Sequence, residues 1–389
     1  ETTQEEQTEL VKTGSMELQY AENFAVDYYE DGYKVLTTLP DSKRYLLVPE
    51  EQPVPRGLDE DVSILQEPLQ NIYLVASGVM DMFASLDAVD QIRFSGQKQE
   101  NWYIQTAKDA MEAGDMIYAG KYSKPDYELL VSEGCDLAIE NRMITHSPEV
   151  VEMLQSFDIP VMIEYSSYEK HPLGKVEWVK FFGALTGKEA EAEETFAEQT
   201  EILEEVESGE KTGKTIAFFY VTSNGLIQVR QSTDYIPKLI ELAGGRYIFE
   251  DLENSGSGRS TLNMPVEDFY AGAKDADILI YNSSIDGGVT TLDELIGKCN
   301  ILKDFKAVQE GQVYCTTNDM YQQSMAIGYL LQDMHTVLTD DDTAKLRYLF
   351  HLETQRKYKS VRMRLEYDWN TNRKRRRKTC SSAGKSDIS

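Results

Sequence analysis

Cysteine is scarce and scattered. Cys135, Cys299, Cys315 and Cys380 lie far apart with no CxxC pair, which argues against a zinc knuckle or a dithiol redox motif. Cys135 and Cys315 sit in or beside apolar, strand-like runs and read as small buried hydrophobes. Histidine is no richer: His146, His171, His335 and His351 form no i,i+4 pair and no His-rich loop, so no zinc-capture site is expected. The chain also lacks GxSxG, GxxxxGKS and HExxH. The segment NSGSGRS around Gly256 and Gly258 does not lead from a strand into a helix, as a phosphate loop must, and reads as a flexible loop. No enzyme is expected. No apolar run approaches the roughly 20 residues that a membrane helix needs.

Positive charge is missing from most of the chain. With 39 Lys and Arg against 67 Asp and Glu the net charge is −28, which excludes nucleic acid as a partner because phosphate requires a basic face. The balance reverses near the end. From Thr354 onward 12 Lys and Arg face 3 Asp and Glu, including the run 373–378, so the rest of the chain carries −37. That end reads as a disordered cationic tail, with a read-through or frameshifted terminus favoured over a lipid-attracted segment. The start, ETTQEEQTEL, is polar and has no apolar stretch. It reads as what is left after an export signal is removed and a lipoprotein is trimmed to its acylated cysteine, or equally as a solvated terminus.

What is present is a length of 389 residues, enough for two domains of roughly 100–200 residues each. Alternating or apolar runs at 23–29, 33–39 and 43–49 predict strands separated by turns at EDG and PDS. Thereafter the texture is βα. Strands are expected at 72–76, 116–119, 136–140 and 160–165, with helices at 79–86, 102–113 and 148–157 between them. A second series runs through a strand at 215–221, a helix at 235–243, strands at 277–281 and 312–316, and a helix at 323–338. Between the series, 174–208 reads as one helical region, weakened only at Gly183, Thr186 and Gly187. The two series also echo each other. Pro125 leads to Asp136 and Asn141, and Pro265 leads to Asp277 and Asn282, in each case through a carboxylate-bearing first helical turn.

Four segments carry a family resemblance: YLVASGVMDMFASLDA from Tyr73, YELLVSEGCDLAI from Tyr127, HPLGKVEWVK from His171, and LAGG at 242–245. Over about residues 23–353 the chain resembles the ABC-importer binding proteins for iron-siderophore, haem and cobalamin. The resemblance implies an α/β fold of two Rossmann-like lobes, each a central sheet flanked by helices, joined by a long rigid interdomain helix. It divides the chain into an N-terminal tether (1–22), a first lobe (23–173), the connecting helix (174–208), a second lobe (209–353) and the tail (354–389).

The implied function is extracytoplasmic capture of a ferric siderophore in the interlobe cleft and its delivery to an ABC permease dimer with its ATPase subunits. A cobalamin- or haem-binding member of the class is the alternative, as is a metal-cofactor enzyme of similar architecture. No cofactor of its own is expected. A monomer is implied, periplasmic or held to the outer face of the cytoplasmic membrane by an N-terminal lipid anchor. Glu128 and Glu267 match the family's permease-docking glutamates, with Asp268 as the substitute for Glu267. A carboxylate at a helix start suits reversible pairing with arginine.

Ligands of open α/β sheets bind beyond the carboxyl ends of strands. That selects Ser77, Tyr118, Glu140 and Tyr165 from the first lobe and Tyr220, Arg230, Asn282 and Tyr321 from the second. Aromatic faces suit macrocycles or catecholates, and arginine suits an anionic complex. Tyr118 or Tyr220 is also placed to offer a phenolate to haem iron. His171 reads as part of the start of a helix, with no metal assigned to it.

Overall fold

Residues 24–48 alternate apolar and polar side chains, and they build a sheet before any helix forms. The computed structural model describes residues 10–253, 260–283, 288–341 and 344–354. β1 (Lys12–Ser15), β2 (Phe24–Tyr29), β3 (Lys34–Thr38), β4 (Lys43–Val48) and β5 (Val62–Gln66) lie side by side in chain order. The first four are antiparallel and β5 joins β4 in parallel. Phe24, Val26, Leu36 and Leu47 turn one face of this sheet into the main core.

The stretch before β2, expected as a tether, is held from residue 10 onward. Buried Glu177 accepts the backbone N–H groups of Gln19, Tyr20 and Ala21 at 2.8–2.9 Å. Glu169 accepts those of Glu22 and Asn23 at 2.9–3.0 Å and the Trp178 indole N–H at 2.9 Å. Charge-assisted bonds of this kind are stronger than neutral ones and order the strap. Residues 1–9, positions 256 and 258, Cys380 and the basic run from 355 onward lie outside the described residues.

The first lobe follows as β6 (Ile72–Leu74), α1 (Val79–Ser85), β7 (Ile92–Ser95), α2 (Gln105–Ala113), β8 (Ile117–Tyr118), a short pair β9 (Gly120–Lys121) and β10 (Lys124–Pro125), α3 (Tyr127–Ser132), β11 (Leu137–Asn141), α4 (Pro148–Ser156) and β12 (Val161–Glu164). Its sheet, in the order β12-β11-β6-β7-β8, is parallel throughout. Helices cover both faces, which is why its strands read as near-continuous apolar runs.

The second lobe comprises β13 (Thr215–Val221), β14 (Ile227–Arg230), α7 (Tyr235–Leu242), β15 (Arg246–Tyr247), β16 (Thr261–Met264), α8 (Val266–Ala273), β17 (Ile278–Tyr281), α9 (Leu292–Lys298), α10 (Lys306–Glu310), β18 (Val313–Thr316), α11 (Ile327–Thr339) and β19 (Leu349–His351). Its order is β16-β14-β13-β17-β18-β19, with β15 also on β13. The strands β15, β13, β17 and β18 are parallel, whereas β14, β16 and β19 run against their neighbours.

The two-lobed α/β architecture is as expected, but the connection differs from one straight helix. It is two helices, α5 (Pro172–Thr186) and α6 (Glu189–Glu207), turned at Gly187, whose φ of 70° only glycine adopts freely. The second folds back on the first: buried Lys180 reaches Glu193 at 2.9 Å and stands 4.5 Å over the Phe196 ring. Nearly every side chain of α5 is buried, because the N-terminal sheet, both lobes and α6 all pack on it. Replacing Trp178, fully buried on α5, by alanine removes support common to all of them, a loss of about 3–5 kcal/mol. No helix among the described residues is long and apolar enough to cross a membrane.

Candidate functional site

The carboxyl ends of β6, β11 and β12 meet the second lobe over the start of α5. There, a cavity of about 170 Å³ is lined by Ser77 and Gly78 after β6, Arg142 after β11, Tyr168 after β12, Lys175 from α5 and Tyr321 from the second lobe. A larger depression, about 660 Å³, lies between α1, β7 and α2 on the first lobe alone. Topology decides between them, since only the smaller one sits at strand ends and draws on both lobes.

The lobes are joined beside this cavity by side chain to backbone bonds. Asp81 on α1 accepts the N–H of Met325 at 2.7 Å. Gln322 donates to the Asn101 carbonyl at 2.7 Å and accepts the Tyr103 N–H at 2.8 Å. At about 170 Å³ the cavity is below the usual range of roughly 300–1,000 Å³ for small-molecule sites. A ligand of ordinary size therefore enters by parting the lobes or sits partly outside the cleft. Releasing three such bonds costs about 1 kcal/mol each.

Two cations and two tyrosine rings share the lining with the Glu164 carboxyl. The Arg142 guanidinium lies 4.7 Å from the Tyr168 ring centre, and the Lys175 ammonium lies 4.8 Å from that of Tyr235. Tyr168 and Tyr321 are exposed, the latter at 56%. Two carboxyls accompany Lys175: Glu164, buried and itself part of the cavity lining, and Asp81, half-buried on α1. Burial pushes Asp81 up to about 6, against the pull of the Met325 N–H and Lys175. Burial also raises Glu164, which accepts from both the backbone N–H and the hydroxyl of Ser166.

Of the residues selected from sequence, Ser77 and Tyr321 line the cavity. Arg230, at the end of β14, faces the same way: its charge acts on Tyr235 and Tyr321, and its side chain pairs with Asp234 at 3.4 Å. Tyr165 is buried in the main core, with Tyr168 stacked edge-on at 6.4 Å. Asn282 is buried beside β13, donating its N–H to the Phe219 carbonyl. Tyr220 packs against the outer core of the second lobe, and Tyr118 is exposed at the end of β8 without reaching the cavity.

Glu140 requires correction as a cleft residue. Leu137 and Ile139 enter the main core, and Ala138 the outer one. Strand alternation puts Glu140 on Ala138's side, away from the cleft. It is 0% exposed, neither carboxylate oxygen has a hydrogen-bond partner, and burial pushes it up to about 8. Glu128, Glu267 and Asp268 are exposed in the first turns of α3 and α8. The His171 ring caps α5, accepting the Leu173 N–H at 3.2 Å, and stacks on Tyr20. Among the described residues no group of three or more His, Cys, Asp or Glu is arranged to hold a metal ion.

Sequence reasoning missed Arg142, Tyr168 and Lys175. Arg142 directly follows a correctly expected strand, a signal that was available. Lys175 lies inside HPLGK, where helix-start chemistry hides it.

The model of the periplasmic binding protein family matches residues 74–320. The chain belongs to that family. An uncharacterized lipoprotein of Methanocaldococcus jannaschii is 25% identical, the match covering 82% of this chain and 81% of the relative. A periplasmic heme binding protein from Pseudomonas aeruginosa superposes with a TM-score of 0.56 at 12% identity, over 73% of this chain and 98% of that one. An ABC-type Fe3+-hydroxamate transport system protein from Saccharomonospora viridis gives a TM-score of 0.55 at 17% identity, over 69% and 93%. At such identities these structures establish the two-lobed fold of the family. The family match begins at Leu74, so the strands β1 to β5 lie outside it.

Proposed function

We propose that this chain is the capture component of an importer for an anionic iron complex, held between the lobes and released to a membrane permease. The observation that carries this reading is a pair of cations beside two tyrosine rings in the cleft, next to the Glu164 carboxyl whose burial favours its neutral form, in a body of charge −37. Long-range repulsion of an anion is screened over about 8 Å at physiological salt, whereas a cation in contact acts at full strength. Arg142 over Tyr168 offers a planar donor and an aromatic face together, which suits a complex that is both oxygen-rich and flat. The iron and heme ligands named for the structural relatives support the class of ligand.

Family membership supports an extracytoplasmic location, and the lipoprotein relative supports an N-terminal lipid anchor. Delivery is assigned to Glu128 and Glu267, exposed carboxylates in the first turn of a helix on each lobe, with Asp268 exposed beside Glu267. The test pairs two measurements. The absorption spectrum and mass of the species that co-purifies with the protein identify the ligand. Uptake by cells carrying Glu128→Ala with Glu267→Ala is expected to be lost while purified protein keeps its affinity. Unchanged uptake would remove the permease from the proposal.

A further inference from the structure

Lys175 is placed against ordinary electrostatics. It lies in the first turns of α5, where the aligned peptide dipoles present positive charge, and it is only 8% exposed. A cation so placed loses hydration and gains nothing from the helix. Asp81 and Glu164 are close enough to feel its charge, yet neither forms an ion pair with it. Their oxygens take N–H and O–H groups of Met325 and Ser166. Among the described residues the one direct partner of the ammonium is the Tyr235 ring, which accepts no hydrogen bond of ordinary strength.

A second unused group lies beside it. Ser324 comes from the second lobe, is 2% exposed, and its hydroxyl oxygen has no hydrogen-bond partner. Lys175 and Ser324 line a common void of about 10 Å³ at the seam between the lobes, and Lys175 lines the larger cavity as well. Other polar groups around the void are already engaged: the Tyr348 hydroxyl donates to Gln323, which donates to Asp319. Gly78 makes the close approach between lobes workable, since a Cβ there would stand 3.0 Å from the Ser324 oxygen. The void has room for about one oxygen-bearing group, the volume a single water needs.

We infer that Lys175 and Ser324 form an anion subsite, built from both lobes, that takes a carboxylate oxygen of the captured complex. The inference rests on the binding-protein reading above and names the chemical class of its ligand. A carboxylate oxygen accepts from the Lys175 ammonium, which has no carboxylate partner among the described residues, and from the Ser324 hydroxyl, which is buried without a partner. Because one donor comes from α5 and the other from the second lobe, occupancy also favours the closed arrangement. The ligand class is thus an iron complex carrying a free carboxylate, in preference to an uncharged one.

The experiment titrates full-length protein, by quenching of tryptophan fluorescence, with ferric citrate and haemin as carboxylate-bearing probes and with ferrichrome and cyanocobalamin as uncharged ones. At least one carboxylate-bearing probe is expected to bind more tightly than either uncharged probe. Lys175→Met is expected to weaken that probe by about tenfold or more, Lys175→Arg by about threefold at most, and Ser324→Ala by about threefold. Binding of the uncharged probes is expected to change by a smaller factor than that of the carboxylate-bearing probe in each variant. Melting temperatures measured alongside identify any variant that fails to fold, in which case Ser324→Ala and Lys175→Arg carry the test.

If Lys175 serves only to balance Asp81 and Glu164, Lys175→Met lowers the melting temperature and leaves the preference among probes as it was. That result overturns the subsite. A wild-type protein that prefers an uncharged probe also overturns it while leaving the capture reading intact. Binding of none of the four overturns the capture of an iron complex or tetrapyrrole, and the subsite with it.

Discussion

Asp136 in the first lobe and Asp277 in the second open equivalent strands and hold equivalent backbone. Asp136 accepts the N–H groups of Gln70 and Asn71, just before β6, at 2.8–2.9 Å. Asp277 accepts the N–H and hydroxyl of Thr215, the first residue of β13, at 2.7 and 2.9 Å, and adds Lys306. Four residues further along, the lobes diverge. Tyr281 of the second lobe is fully buried and meets Phe219 edge-on at 5.6 Å, whereas the first lobe carries Glu140, equally buried and with both oxygens unpartnered. The lesson is that a shared staple fixes where a strand starts, while the residue it delivers to the core is free to change character.

The largest effect is expected from erasing that difference. Glu140→Met should stabilise the protein by roughly 3 kcal/mol at pH 7, the cost of ionising or protonating an acid held at about 8 instead of its ordinary 4.5. Denaturant unfolding measures it, and destabilisation would mean that the carboxyl has a role in the fold. The same variant should bind its ligand as the wild type does, because Glu140 does not line the cleft.

pH should separate the lobes next. An acid whose folded pKa is raised, as for Glu140, contributes stability that is complete below the unfolded value and lost as pH rises through about 8. Asp277 has the opposite sign. Burial alone would raise it, but hydrogen bonds from Lys306 and Thr215 outweigh burial and bring it below its ordinary value. Its contribution is present above the unfolded value and fades as pH falls through the lower folded one. Between pH 8 and pH 5.5, amide exchange corrected for intrinsic rates should therefore slow around β11 and stay level around β17. Equal behaviour of the two strands would contradict the assignment.

Smaller changes follow from cutting the staples. Asp277→Ala should destabilise by about 2 kcal/mol and Asp136→Ala by about 1, since the former also loses Lys306. A larger loss at Asp136 would show that the two staples are not equivalent. Smallest of all is the pair at the exposed helix starts: Glu128→Ala and Glu267→Ala should each alter stability by less than about 0.5 kcal/mol, which keeps the test of the proposed docking role free of a folding effect.

Much of this fold is legible in the chain. The strand expected at 215–221 is β13 residue for residue, and the Asp and Asn of the echo bracket β11 and β17 to within one residue. The edge elements are harder to read: β14, β16 and β19 are short, and their pairing depends on which strand they meet. Within the site, Ser77 and Tyr321 follow from strand ends and exposed aromatics. Glu140 misled because β11 is covered on both faces, so its sequence does not say which face looks to the cleft. Lys175 escaped because its meaning depends on Ser324, 149 positions away in the chain.

By itself, the sequence determined the two βα series, the residues that start and stop their strands, and the acidity of the body. These are local matters of period, capping and composition, settled within a few residues of each position. The tertiary structure alone decided that α6 folds back on α5, that Glu177 and Glu169 hold the N-terminal strap, and that Arg142, Lys175, Tyr321 and Ser324 converge. Convergence of that kind is a property of packing between distant segments, and no periodicity along the chain encodes which side chains meet when two lobes close on one helix.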